Sequence, residues 1–270
     1  MRRFTPAHRG GRGEPLVCLH GFMDSWRTWE LVLPALERRH EVLALTLPGH
    51  AGGPPLEGGM GHDVLVDAVE RAMDAAGFAS AHIAGNSLGG FLALKLAARG
   101  RARSVVALAP AGGWAEGDHS RRALLAFQRG LHEQVRASAA NAEAIAATPE
   151  GRRRATALLT ENFAHIPPEV VADQILAVAR CDAAPALIEF AEQADWPLDA
   201  ARIDCPVRIV WGTADKLLPW PRAAVRFREE WLPHADWVEL DGIGHAPQLD
   251  VPLETAQLIG GFAAQWPSSD

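Results

Sequence analysis

The sequence predicts an α/β fold in which a mostly parallel central sheet is flanked by helices and an all-helical block is inserted in the middle of the chain. Three observations predict it. Short apolar runs alternate with segments of helical periodicity. The runs end at Gly or Pro, as buried strands do. From about Trp114 to Trp196 no strand-like run occurs, and the alternation then resumes. The β-α-β order requires parallel strands covered by helices on both faces.

Leu16–Leu19 is the first buried run and stops at His20-Gly21. Glu41–Leu47 is the second and stops at Pro48-Gly49. Asp63 is placed to cap a helix whose apolar positions are Val64, Leu65, Ala68, Val69, Ala72, Met73 and Ala76, and Gly77 ends it. Ala81–Ala84 is a strand, Leu88–Ala98 a helix ended by Gly100, and Ser104–Ala109 a strand ended by Pro110. Within the inserted block the Ala-rich stretches Ser120–Ala140, Pro149–Phe163, Pro168–Cys181 and Ala183–Ala194 read as helices, punctuated by Pro167-Pro168 and Pro185. Val207–Trp211 is then a strand, Pro221–Trp231 a helix, Trp237–Leu240 a strand and Pro252–Gln265 a closing helix.

At 270 residues the chain is long enough for one large domain with an insertion. Its net charge of −7 supplies no global basic field for nucleic acid or an anionic membrane. The basic tip formed by Arg2, Arg3, Arg9 and Arg12 reads as solvated. Cys18, Cys181 and Cys205 are odd in number and far apart, which argues against a disulfide framework and a cysteine-based zinc site. No apolar run approaches a membrane span or a secretory leader. These features lead us to expect a cytoplasmic protein acting on a small molecule, with no metal, nucleotide or flavin cofactor. The sequence leaves the oligomeric state open.

Gly85-Asn86-Ser87-Leu88-Gly89 is a G-x-S-x-G, of which this composition yields about 0.07 copies by chance. A strand precedes it and a helix follows it, as a nucleophile elbow requires. A Cβ at either glycine would crowd the tight turn. Ser87 is therefore the candidate nucleophile. Serine needs a base to remove its proton. Among eleven histidines, His245 sits in a Gly-rich loop after a late strand, and His20 is the second candidate. His8, His40, His50, His62 and His234 read as surface or turn residues, His82 as packed in its strand, and His119, His132 and His165 belong to the insertion. The base needs an acceptor to hold its tautomer. Asp215 follows Val207–Trp211 at the C-terminal edge, where sites of parallel sheets gather, and is favoured over Asp204, Asp236 and Asp241. Backbone N–H groups of Phe22 and Leu88, with Met23 an alternative to Phe22, are the candidate oxyanion hole.

His20-Gly21-Phe22, Leu47-Pro48-Gly49-His50, Gly85–Gly90, Gly212–Asp215 and Gly242–Pro247 stand in an order that resembles the α/β-hydrolase superfamily. The resemblance implies Ser87 as nucleophile, His245 as base and Asp215 as acid. It divides the chain into a core at 1–113 and 197–270 and a helical cap at 114–196. The fifteen residues before Leu16 leave little room for the family's opening hairpin, so a short or missing first strand is expected. Haloalkane dehalogenases and epoxide hydrolases of this fold carry Asp at the elbow, where this chain has Ser87. Trp26 and Trp29 are similar to those enzymes, but the nucleophile decides the chemistry. Carbon–carbon bond hydrolases often share the Gly-Asn-Ser start yet commonly have Trp after the catalytic His, where Ala246 stands here.

Nine Trp, nine Phe and no Tyr point to an apolar slot, with Trp114, Trp196 and Trp220 as candidate lining. The expectation is a serine carboxylesterase for small to medium apolar esters. The alternatives are a carbon–carbon bond hydrolase of a ring-fission product and a non-catalytic ligand-binding receptor on the same fold.

Overall fold

Residues in a strand alternate between its two faces, so a strand apolar at every position must be covered on both sides. The computed structural model, which describes residues 3–57, 63–193 and 195–267, shows this arrangement. Arg2 and His62 lie outside the described residues, as does the last position of the helix expected over Ala183–Ala194.

The elements in chain order are β1 (Ala7–Gly11), β2 (Glu14–Leu19), a 3-10 turn over Trp26–Trp29, α1 (Leu33–Leu36), β3 (His40–Leu45), α2 (Val64–Ala75), β4 (Ala81–Asn86), α3 (Leu88–Ala98) and β5 (Ala102–Leu108). There follow α4 (Ser120–Ser138), α5 (Ala142–Ala147), α6 (Pro149–Thr156), α7 (Pro168–Ala179) and α8 (Ala184–Gln193). The chain closes with β6 (Val207–Gly212), β7 (Asp236–Leu240), α9 (Pro247–Asp250) and α10 (Pro252–Ala263). The expected short first strand is β1, five residues long. It runs antiparallel to β3 at the sheet edge. The other six strands are parallel, and the order is β1-β3-β2-β4-β5-β6-β7.

Alternation divides the core into two layers. Val17, Leu19, Leu43, Leu45, Ile83, Val105, Ala107 and Ile209 pack with Leu65, Val69 and Met73 of α2 and with Leu92 and Leu96 of α3. Leu16, Cys18, Val42, Ala44, Ala84, Val106, Leu108 and Val210 pack on the other face with Trp29, Leu33 and Leu36 and with Ile259 and Phe262 of α10. Helix α3 is buried at ten of its eleven positions, which suits an apolar, centrally placed helix.

Three local expectations change. Asp63 precedes α2 without capping it by its side chain. Its carboxylate instead pairs with Lys95 of α3 and with Arg99 just beyond that helix. The helix expected over Pro221–Trp231 divides into a 3-10 turn and a π turn. Between them Arg226 N–H donates to Gly113 O, outside any helical ladder, so the i→i−4 pattern is broken there. The stretch Pro149–Phe163 is helical only to Thr156, because the following backbone is taken up in contacts with the loop that carries His245. Among the described residues no helix is long and apolar enough to cross a membrane.

Candidate active site

Because β2, β4, β5, β6 and β7 are parallel, the loops after them leave from one edge of the sheet. Those loops carry His20-Gly21-Phe22, Ser87, Asp215 and His245. Residues spread through the sequence thus meet by topology.

Ser87 occupies the turn between β4 and α3 with φ 55° and ψ −116°, a conformation that L side chains rarely adopt. Its backbone is held on both sides. Its N–H donates to Leu108 O at 2.9 Å, and its carbonyl accepts from Phe91 N and Ala111 N. The glycines leave the space the turn needs. A Cβ on Gly85 would lie 2.2 Å from Gly89 O, and one on Gly89 would lie 2.2 Å from Leu19 O. A Cβ on Gly21 would lie 3.3 Å from the Ser87 Cβ, so the His-Gly loop packs directly against Ser87.

His245 and Asp215 are both buried. The imidazole Nδ1 lies 2.7 Å from Asp215 Oδ2. Asp215 Oδ1 accepts from Leu217 N and Leu218 N at 2.8 Å each, which fixes the carboxylate plane. Nδ1 is therefore the protonated nitrogen and Nε2 is left to accept a proton, and the ring lines the same cleft as Ser87. Asp215 is thus the partner among the aspartates considered. Asp241 accepts from Thr213 Oγ1, and Asp236 pairs with Arg208.

His20 has a different task. Leu47 N–H donates to its Nε2 at 2.9 Å, so the ring proton must sit on Nδ1, which donates to Gly21 O at 2.6 Å. Burial, with His50 close by, pushes its protonation well below the usual histidine range. It is a neutral brace for its loop rather than a base. His40 and His50, read as surface or turn residues, are both buried, the first opening β3 and the second in the turn that follows it. Burial pushes the His50 imidazole down to about 4.

The cleft holds about 130 Å³ and is lined by Phe22, Ser87, Leu88, Phe91, Trp114, Leu125, Leu187, Trp196, Leu218 and His245, among others. Trp196 meets Phe91 and Trp114 edge to face, with centroids 5.0 and 6.1 Å apart. Trp220 is a correction. Its indole packs between Trp211 of β6 and Trp237 of β7 at 5.8 and 5.9 Å, under the Arg228 guanidinium, and does not line the cleft. Neighbouring aromatics captured it from the loop that carries Asp215.

Four polar side chains of the site gave no sequence signal. Asn86 Nδ2 donates to Leu108 O and to His245 O, at 3.1 and 3.0 Å. Gln248 Nε2 donates to Asn86 Oδ1 and to Thr28 Oγ1, both at 3.1 Å. Asp250 accepts from Gly244 N, Glu161 N and Asn162 N, tying the His245 loop to the non-helical segment between α6 and α7. Asp24 reaches the cleft from the loop after β2. The partners of Asn86 and Gln248 lie far away in sequence, as do two of those of Asp250, so no local pattern marks these three. Asp24 is held by its neighbours Ser25 and Thr28, and only the fold shows that it reaches the cleft.

The arrangement offers a hydroxyl on a strained turn, a carboxylate-oriented imidazole and an apolar cleft, which together suit proton transfer and nucleophilic attack. A sequence model described as "Alpha/beta hydrolase family" matches residues 16–258. The chain is 32% identical over 219 residues to the epoxide hydrolase EphH of Mycobacterium tuberculosis (strain ATCC 25618 / H37Rv), covering 75% of this chain and 95% of that protein. It is 27% identical to the pimeloyl-[acyl-carrier protein] methyl ester esterase of Aeromonas hydrophila subsp. hydrophila, over 94% of this chain and 97% of that one. The solved structure of a meta-cleavage product hydrolase from Pseudomonas fluorescens IP01 superposes with a TM-score of 0.72 at 20% identity, covering 96% of this chain and 93% of that chain, which shows likeness of fold.

Proposed function

The chain belongs to the alpha/beta hydrolase family, and from that premise we propose that it is a serine hydrolase cleaving small to medium apolar carboxylic esters through an acyl-enzyme. The observation that carries this reading is the Asp215–His245 hydrogen bond standing behind Ser87 at the rim of an apolar cleft.

His245 Nε2 takes the Ser87 proton as Oγ attacks the ester carbonyl, and Asp215 stabilises the imidazolium that forms. The backbone N–H groups of Phe22 and Leu88, both at the cleft, hold the developing oxyanion. His245 then gives the proton to the leaving alcohol, and a water activated by the same ring releases the acid. In this reading residues 114–196 act as a cap over the core formed by 1–113 and 197–270, and Trp114 and Trp196 line the substrate slot. The cleft volume of about 130 Å³ favours short acyl groups, since drug-sized ligands fill roughly 300–1,000 Å³.

The relative named as an epoxide hydrolase suggests ring opening. Residue chemistry argues against that route here. Attack on an epoxide by Ser87 would leave an ether, which has no carbonyl for water to attack. An aspartyl nucleophile leaves an ester that water can open.

The test compares p-nitrophenyl acetate and butyrate hydrolysis by the wild type and Ser87→Ala. The variant is expected to lose at least three orders of magnitude in kcat, and equal rates would refute the assignment. A dienoate-release assay with a ring-fission product separates carbon–carbon cleavage, and tight ligand binding with negligible turnover would favour the receptor reading.

A further inference from the structure

The ester mechanism leaves one ionisable group of the cleft unused, the Asp24 carboxyl. It sits two residues after Phe22, half-buried. Ser25 N–H donates to its Oδ1 at 2.8 Å, and the Thr28 hydroxyl also bonds it. Thr28 in turn accepts from Gln248, which bonds Asn86 beside Ser87. The carboxyl is therefore held at a fixed place relative to the nucleophile.

Its surroundings are specific. Among the described residues lining the cleft, Asp24 and His245 are the ionisable ones, and no Lys or Arg occurs there. The same carboxyl also lines a second chamber of about 630 Å³, so it stands at the junction of the two spaces. That chamber adds Glu150 and Arg154, which are both exposed and near enough to act on each other. Phe91, Trp114 and Trp196 form an aromatic wall in the first space. Aromatic faces attract ammonium groups, and more strongly when water is excluded. The net charge of −7 favours approach of a cation.

We propose that Asp24 is a specificity residue that takes a cationic ammonium group of the substrate, so that the preferred esters carry a positive charge a few bonds from the scissile carbonyl. This rests on the ester hydrolase reading above. Desolvation pushes the empty carboxyl up to about 6, and a cation beside it favours the ionised form. The pairing also offsets the negative charge that Asp24 would otherwise set near the oxyanion.

The test uses butyrylcholine and 3,3-dimethylbutyl butyrate, which match in shape and differ in charge. The wild type is expected to favour the cationic ester at least tenfold in kcat/KM, chiefly through KM. Asp24→Asn is expected to bring the ratio close to one, while Asp24→Glu keeps it above one. Calorimetric binding of both esters to Ser87→Ala, with and without Asp24→Asn, repeats the comparison without turnover. A charge preference absent from the wild type, or unchanged in Asp24→Asn, overturns the proposal. Wild-type hydrolysis by Ser87→Ala would instead overturn the serine-nucleophile reading, and the kcat/KM ratio of the two esters in the wild type against Asp24→Asn would still decide the role of Asp24.

Discussion

Replacing Ser87 by glycine is expected to make the protein more stable than replacing it by alanine, although both variants lose hydrolysis. The reason is the backbone at φ 55° and ψ −116°, where any Cβ is strained. Holding a non-glycine residue in such a region costs on the order of 1–3 kcal/mol. Ser87→Ala keeps that cost, and Ser87→Gly removes it. Glycine gives back roughly 0.4–1 kcal/mol through the greater freedom of the unfolded chain. The net gain of Ser87→Gly over Ser87→Ala is about 1–2 kcal/mol, which in a chain of this size raises Tm by about 2–4 °C. Urea unfolding of the two variants at pH 7 measures it, provided the slopes agree. A glycine variant no more stable than the alanine variant would refute the strained elbow, and with it the argument that the fold pushes this hydroxyl outward.

Asp215→Asn is expected to lower kcat for p-nitrophenyl butyrate by about 10⁴ through the wrong imidazole tautomer. Stability should change little, because an amide oxygen can still accept from Leu217 and Leu218; urea unfolding alongside the kinetics checks both. Gly89→Ala puts a methyl 2.2 Å from Leu19 O, a backbone atom that cannot swing away, so unfolding should show a loss above about 2 kcal/mol along with lost activity. Asp24 has a raised pKa near 6, so its contribution to stability is complete below the unfolded value near 4 and is lost as pH rises through 6. Asp24→Asn should therefore gain on the wild type by about 2–3 kcal/mol between pH 4 and pH 7.5, measured as the difference between the two urea titrations. His50 has a lowered value and acts in the opposite sense, losing stability as pH falls from 6.5 towards 4, but it is present in both proteins and cancels in that difference.

The six parallel strands were legible in chain order because parallel burial writes near-continuous apolar runs, and Gly or Pro marks their ends, whereas their order across the sheet and the position of β1 were not. Ser87, His245 and Asp215 could be singled out as candidates because each follows such a run at the same edge. Other features depend on contacts that no window contains. Gln248 and Thr28 are 220 positions apart, and Asn86 and His245 are 159 apart. Trp220 follows the Asp215 loop in sequence, but the side on which its indole lies was set by Trp211 and Trp237. His40 and His50 read as turn residues because their neighbours are polar or Gly-rich, whereas tertiary packing buries both. Helix α5 escaped notice because six residues are too few to show a period.

The same long-range contacts explain how a site built on loops keeps its geometry. Three loops would each drift if held only by their own strands. Asn86 joins the elbow to the His245 backbone, Gln248 joins both to Thr28, and Asp250 joins the His245 loop to residues 161 and 162. Asn86, Thr28, Gln248 and Asp250 are each at most 4% exposed, so their hydrogen bonds meet little competition from water. Breaking one such bond leaves a buried polar partner unsatisfied, a cost of about 1–3 kcal/mol that opposes displacement of any single loop. Strain at Ser87 can persist only where its surroundings over-determine the backbone. The bonds to Leu108, Phe91 and Ala111 supply that constraint locally, and the Asn86 network extends it to the imidazole. Ser87 and His245, the proposed nucleophile and base, are therefore held by one shared set of buried bonds, so a change at Gln248 should reach the proposed reaction without touching a reacting atom.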